Sequence, residues 1–113
     1  MKPGTVQGPL HGVPVTVKDA LDTAGIPTQR GSKIFAGFIP DDDATAVKRI
    51  KAAGGILLAK TNAPEFSAWT ETDNAVTGRT NNPWNLERTP GGSSGGESAA
   101  VASGMSPMGI GSD

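Results

Sequence analysis

Short apolar runs alternate with a helical pattern along this chain, and this alternation constrains its fold more than any other feature. Val13–Val17 is a short, mostly β-branched run, which predicts a strand. Within residues 41–53, apolar side chains recur every three or four positions and predict a helix that ends at Gly54. Ile56–Ala59 is continuously apolar, which is typical of a strand covered on both faces. The order predicts an α/β fold with a parallel or mixed sheet and flanking helices.

Helix starts are marked by acidic and polar residues. The run Asp41–Asp43 stands where the positive end of the first helix favours carboxylates, so helix capping accounts for it. A metal site at this run is not favoured, because no EF-hand-like spacing of oxygen ligands follows. Asn62 with Pro64 predicts the start of a second helix that continues through Trp69.

The last third of the chain contains a long loop before its next helix. Residues 71–92 show neither helical nor strand periodicity and predict an irregular, functional loop. Gly95–Gly104 predicts a helix of small residues, and Met105–Gly111 predicts a short final strand. Because the sequence stops directly after this apolar run, we expect the chain to be a fragment of a longer domain.

Composition excludes several functional classes. Ten basic and eleven acidic residues give a net charge of −1, so no basic surface predicts binding to nucleic acid or to an anionic membrane. The absence of cysteine excludes a disulfide scaffold, a thiolate metal site and a cysteine nucleophile. No apolar run approaches the roughly 18 residues that span a bilayer. We therefore expect a soluble, cytoplasmic protein.

A glycine- and serine-rich loop, residues 89–97, is the strongest local signal for chemistry. Paired glycines flank Ser93 and Ser94 and permit backbone conformations that larger residues disfavour. The loop leads into a helix, a place that stabilises anions, but Glu97 stands where a phosphate-binding P-loop requires lysine. Two interpretations remain open from these residues: hydroxyls in a proton relay, or a structural turn into the helix.

Two side chains are candidate bases. Lys18 follows the first strand, and a desolvated lysine can lose its proton near neutral pH. Most strand-end lysines, however, face water. His11 is the single histidine and would have to serve any Ser-His-Asp triad, but it lies among glycine and proline, as a loop histidine would. The terminal Gly109–Asp113 segment only begins a dinucleotide-binding pattern.

Taken together, these segments resemble the amidase signature family over almost the whole chain. The combination of a Val-Lys-Asp segment with a downstream Gly-Gly-Ser-Ser-Gly-Gly loop is highly specific, and the matching stretches occur in the family's order. They are residues 8–19, 59–66, 82–85, 90–97 and 106–113.

The resemblance implies a Ser–Ser–Lys triad that hydrolyses a small-molecule amide through an acyl-enzyme, without a cofactor or metal. Lys18 would be the base, and Ser93 the bridging serine, preceded by a cis peptide bond. Ser94, Ser112 and Asp113 would be supporting polar residues near the proton relay.

The chain also departs from the family pattern. The family's nucleophilic serine would fall about four residues beyond Asp113, and the N-terminal helices and C-terminal half of the family domain are missing. We therefore expect residues 1–113 to be a partial amidase domain that is inactive alone and associates with itself. Two alternatives stay open: a catalytically inert scaffold module, and, less favoured on residues 62–66 and 96–98, a protein like the A-type subunit of an amidotransferase.

Overall fold

The computed structural model describes residues 4–113 and contains three strands and two α-helices. The elements in chain order are β1 (Pro14–Lys18), α1 (Thr45–Ala52), β2 (Ile56–Thr61), α2 (Gly95–Ala102) and β3 (Gly109–Ile110). Single turns of 3-10 helix occur at Lys33–Phe35 and Glu65–Ser67. The strands are parallel in the order β2-β1-β3, which confirms the predicted α/β class.

The central strand β1 positions the candidate site. Lys18 is its last residue and pairs with Thr61, the last residue of β2, while Thr16 pairs with Gly109 of β3. The carboxyl ends of the strands therefore meet at one edge of the sheet, where α/β proteins commonly place their ligand sites.

Alternation along β1 separates an apolar face from a polar one. Val15 and Val17 are buried on one face, whereas Thr16 and Lys18 are buried on the other. Gly55, just after α1, brings the backbone close to the side chains of Ile50 and Val15. The buried apolar core is small, and two of the four residues that β1 buries, Thr16 and Lys18, are polar.

The predicted helix over residues 62–69 is wrong. The chain makes one 3-10 turn there, because Phe66 (φ 51°) and Ser67 (φ 57°) adopt left-handed backbone angles that end a right-handed helix. The Asn62 side chain binds the 71–92 loop instead, accepting hydrogen bonds from Asn74 Nδ2 at 2.7 Å and Thr77 Oγ1 at 2.7 Å.

Two further expectations are corrected. The first is that acidic residues cap α1. The helix begins at Thr45, whereas Asp43 accepts a hydrogen bond from the backbone N–H of Ala24 and forms an ion pair with Lys51 at 2.8 Å. The second is that β2 is covered on both faces. Ile56 is 56% and Leu58 52% exposed, so residues 4–113 do not cover β2 on both faces.

Other predicted elements agree within a few residues. The first strand, the helix after the Gly/Ser loop and the irregular 71–92 segment are confirmed, while the last strand is limited to Gly109–Ile110. None of the helices within residues 4–113 has the length and apolar character needed to cross a bilayer.

Candidate active site

Lys18 is a buried lysine whose partners are hydroxyl groups. It is 0% exposed, and its Nζ donates to Ser93 Oγ at 2.6 Å and to Ser112 Oγ at 2.8 Å. Among residues 4–113, no carboxylate lies within ion-pair distance of this nitrogen. The predicted base therefore contacts the predicted bridging serine directly.

Burial lowers the pKa of Lys18 below the ordinary lysine value of 10.5. Desolvation disfavours the charged ammonium, and no neighbouring anion offsets this effect. The neutral amine, which a base requires, is therefore more populated at a given pH than for a lysine in water. A hydroxyl group can also donate its O–H to a neutral amine nitrogen, so a hydrogen bond at 2.6 Å is compatible with either protonation state of Lys18.

The loop that carries Ser93 is fixed on both sides. The Gly92–Ser93 peptide bond is cis, as the resemblance implies. Thr72, from the long irregular loop, donates through Oγ1 to Gly91 O at 2.8 Å and accepts from Gly95 N at 3.1 Å. Its side chain therefore ties together the two ends of the turn that presents Ser93.

The supporting residues divide into two groups. Ser94 Oγ accepts from Ser112 N at 3.1 Å and donates to Ser112 O at 3.2 Å, so these two residues hold the chain end against the Gly/Ser loop. Asp113 is exposed and, within residues 4–113, hydrogen-bonds to none of these side chains. Its supporting role stays a prediction.

An open cleft lies over Ser93. It has a volume of about 550 Å³ and is lined by Ser67, Ala68, Trp69, Thr70, Gly92 and Ser93. Trp69 is 68% exposed there. Ser93 therefore borders an open cleft, whereas Lys18 is not among the residues that line it.

The other candidate base, His11, lies outside this cluster, and so does the half-buried Lys60, which the sequence did not single out. His11 is exposed in the loop before β1, where its Nδ1 accepts from Gln7 N at 3.3 Å. Lys60 lies near Asp19, with Nζ 3.3 Å from Oδ1, and burial lowers its pKa more than Asp19 raises it. No group of three or more metal-ligating side chains occurs among residues 4–113.

Sequence reasoning missed the carboxylate beside this cluster. The Gly/Ser pattern marks Glu97 only as a residue incompatible with phosphate binding, yet it is 6% exposed and accepts hydrogen bonds from Thr16 and Thr61. The sequence signal that could have found it is alternation along β1, which places Thr16 on the same face as Lys18 and so predicts polar neighbours there.

Comparison with known proteins places the chain in one family whose members include amidotransferase subunits and amide hydrolases. A sequence model of the family described as Amidase matches residues 1–113. The chain is 53% identical over 110 residues to the A-type subunit of glutamyl-tRNA(Gln) amidotransferase from Salinispora arenicola (strain CNS-205), a match that covers 97% of this chain and 22% of that relative. The chain thus spans about a fifth of the length of the curated relatives it matches.

Two solved structures share the fold. 6-Aminohexanoate cyclic dimer hydrolase, solved with its substrate, superposes with a TM-score of 0.85 at 44% identity, covering 90% of this chain and 22% of the hydrolase. The A-type subunit of glutamyl-tRNA(Gln) amidotransferase from Thermotoga maritima gives 0.85 at 42% identity, covering 90% and 23%. The matches include amidotransferase subunits as well as a hydrolase. They therefore do not support ranking the amidotransferase as the less favoured alternative.

Proposed function

Because this chain belongs to the amidase family, we propose that it forms part of an enzyme that breaks the C–N bond of a carboxamide through an acyl-enzyme. Residues 1–113 are in this proposal one part of a longer domain, with Lys18 as base and Ser93 as bridging serine. The observation that carries the proposal is the 2.6 Å contact between that serine and a buried lysine that has no carboxylate partner among residues 4–113.

In the proposed reaction, protons pass through Ser93 to Lys18 during attack and return through Ser93 to the leaving amine. As the nucleophilic serine attacks the carbonyl carbon, its proton passes to Ser93 Oγ while Ser93 gives its own to neutral Lys18. When the C–N bond breaks, the ammonium of Lys18 returns a proton through Ser93 to the leaving amine. Water then hydrolyses the acyl-enzyme by the same relay. Small amides are the proposed substrates, and the cleft over Ser93 is where they would bind.

A chimera with a related enzyme, which supplies the remainder of the domain, tests this proposal. A chimera in which this chain replaces the matching segment of 6-aminohexanoate cyclic dimer hydrolase is expected to hydrolyse that enzyme's cyclic dimer. The family pattern predicts this result because the host contributes the nucleophile and this chain the other two triad members. A folded chimera without turnover would contradict the proposal.

The 113-residue chain by itself is expected to show no amide hydrolysis. Two triad members without the nucleophile can hold a proton but cannot form the acyl-enzyme. The measurement is release of amine from a panel of small carboxamides, with the chimera as positive control. Clear turnover by the chain that is abolished in Lys18→Ala would refute the division of roles.

A role within an amidotransferase is the second candidate, favoured by the 53% identity to one of its subunits. Such a protein would pass the released ammonia to a partner subunit instead of releasing it into solution. Stable capture of the other subunits of a glutamyl-tRNA(Gln) amidotransferase would support it, while full activity without any partner would favour a hydrolase. A cytoplasmic location stays a prediction.

We expect the chain to self-associate through the exposed edge strand β2. Ile56 and Leu58 project from an edge strand, where unpaired backbone groups and apolar side chains favour pairing with a second copy. Light scattering over a concentration series is expected to show mass rising with concentration, and Leu58→Lys to weaken the rise. Ile34→Lys, at an exposed apolar residue outside the sheet, is the matched control. A monomer at every concentration would contradict this expectation.

A further inference from the structure

Glu97 is a buried charged residue that the proposed relay does not use. Lys18 and Glu97, at 0% and 6% exposure, are the most buried charged residues of the described part of the chain. Withdrawing a carboxyl group from water is costly unless hydrogen bonds compensate it. The compensating partners therefore indicate what the residue does.

Both carboxylate oxygens of Glu97 accept hydrogen bonds from the sheet. Thr16 Oγ1 donates to Oε2 at 2.6 Å, and Thr61 Oγ1 donates to Oε1 at 2.7 Å. Thr16 precedes Lys18 by two residues on β1, and Thr61 on the neighbouring strand β2 pairs with Lys18. All three side chains thus share one face of the sheet, and Glu97 joins the two strands there.

The same residue anchors the helix that follows the Ser93 loop. Glu97 lies in the first turn of α2, four residues after Ser93. Gly96 N also donates to Asn62 O at 3.2 Å, so a side-chain contact and a backbone contact hold the start of α2 to the sheet. Lys18 comes from β1 and Ser93 from the loop before α2. Their contact therefore depends on how these two elements are held together.

The third strand leaves room for the carboxylate. A Cβ on Gly109 of β3 would overlap Glu97 Oε2 and lie 2.7 Å from Thr16 Oγ1. Glycine at this position is consequently what allows Glu97 and Thr16 to meet. The carboxylate is enclosed by contributions from all three strands.

We propose that Glu97 is a positioning residue that, through Thr16 and Thr61, sets the separation between Lys18 Nζ and Ser93 Oγ. This inference rests on the proposed function, which gives that separation its role. Loss of the carboxyl group leaves the buried Thr61 hydroxyl without its acceptor and the Thr16 hydroxyl with only Met108 O, at 3.4 Å, and it removes the side-chain contact between the start of α2 and the sheet. Water then reaches Lys18, and its contact with Ser93 is lost.

The test follows the titration of Lys18 in the full chain by NMR of its 15Nζ and 13Cε nuclei. Glu97→Ala is expected to raise the pKa of Lys18 by about one pH unit, because water relieves the burial that lowers it. Glu97→Gln keeps the shape and can still hydrogen-bond to both hydroxyls, so it is expected to leave this pKa within error of the parent. Glu87→Ala, in the exposed loop, is the matched control.

A second pair of variants keeps the carboxylate and tests one of its partners. Thr61→Val preserves volume but removes the donor, and it is expected to raise the pKa of Lys18, whereas Thr61→Ser is expected to restore it. If Glu97→Ala does not fold, this pair decides the question.

Three outcomes separate the explanations. A folded Glu97→Ala chain with an unchanged Lys18 pKa overturns the positioning role. A fall of this pKa in both Glu97 variants also overturns it, because loss of a nearby negative charge would then be the dominant effect. If Lys18 already titrates at an ordinary value in the unsubstituted chain, the proposed function fails instead.

Discussion

Lys18→Ala in the chimera with 6-aminohexanoate cyclic dimer hydrolase is expected to lower kcat/KM by about 10²–10⁴-fold. The substitution removes the proposed acceptor of the proton, and no other amine or imidazole among residues 4–113 contacts Ser93. The nucleophile must then lose its proton to water during attack. Steady-state hydrolysis of the cyclic dimer measures the effect.

The pH profile distinguishes a base from a merely structural lysine. The relay needs the neutral amine, so kcat/KM is expected to rise with pH through the Lys18 pKa and then level off. Because burial lowers this pKa, the rise is expected at a lower pH than for an ordinary lysine. Ser93→Ala interrupts the same relay and is expected to cost as much as Lys18→Ala, with little further loss in the double variant.

Lys33→Ala, at an exposed lysine outside the cluster, is the matched control and is expected to keep full activity. Folding of each variant is checked by its thermal unfolding. A folded Lys18→Ala chimera with unimpaired kcat/KM would exclude Lys18 as the base.

Gly96→Ala is expected to lower the free energy of unfolding of the chain by about 1–3 kcal/mol, the usual cost of overpacking. A Cβ at this position would lie 2.5 Å from the carbonyl oxygen and 2.9 Å from the Cα of Asn62. Both are backbone atoms, which cannot rotate away as a flexible side chain can. The gain in helix propensity from alanine, about 1 kcal/mol at most, opposes the loss without cancelling it.

Urea unfolding followed by circular dichroism measures this change. A lower midpoint with an unchanged slope would show lost stability without a change in the surface exposed on unfolding. Ser98→Ala, at an exposed position of the same helix, is the control and is expected to move the midpoint little. An unchanged or raised midpoint for Gly96→Ala would contradict the close contact between α2 and Asn62.

The α/β class and the Lys18–Ser93 pair were both predictable, for different reasons. Side-chain alternation and the helical period report burial directly, so β1, α1 and α2 could be located from local pattern. The pairing of Lys18 with Ser93 came from motif resemblance, since 75 residues separate them and no local rule joins them.

The errors occur where distant contacts override local preference. Residues 62–69 carry helix-start signals, yet Phe66 and Ser67 take left-handed angles while Asn62 bonds to the 71–92 loop. The apolar run of β2 predicts burial on both faces, but no described segment packs over Ile56 and Leu58, which stay exposed. Neither outcome could be inferred from the local sequence.

The sequence by itself determined the approximate positions of β1, α1, β2 and α2, the family motifs and the residue types available for proton transfer, because each of these is carried by side chains close along the chain. The tertiary structure alone decided that Lys18 has hydroxyl partners instead of a carboxylate, and that Glu97 bonds to Thr16 and Thr61. Burial and hydrogen-bond partners are properties of residues brought together from distant segments. A lysine becomes a plausible base only when that assembly removes its water and leaves its charge unpaired.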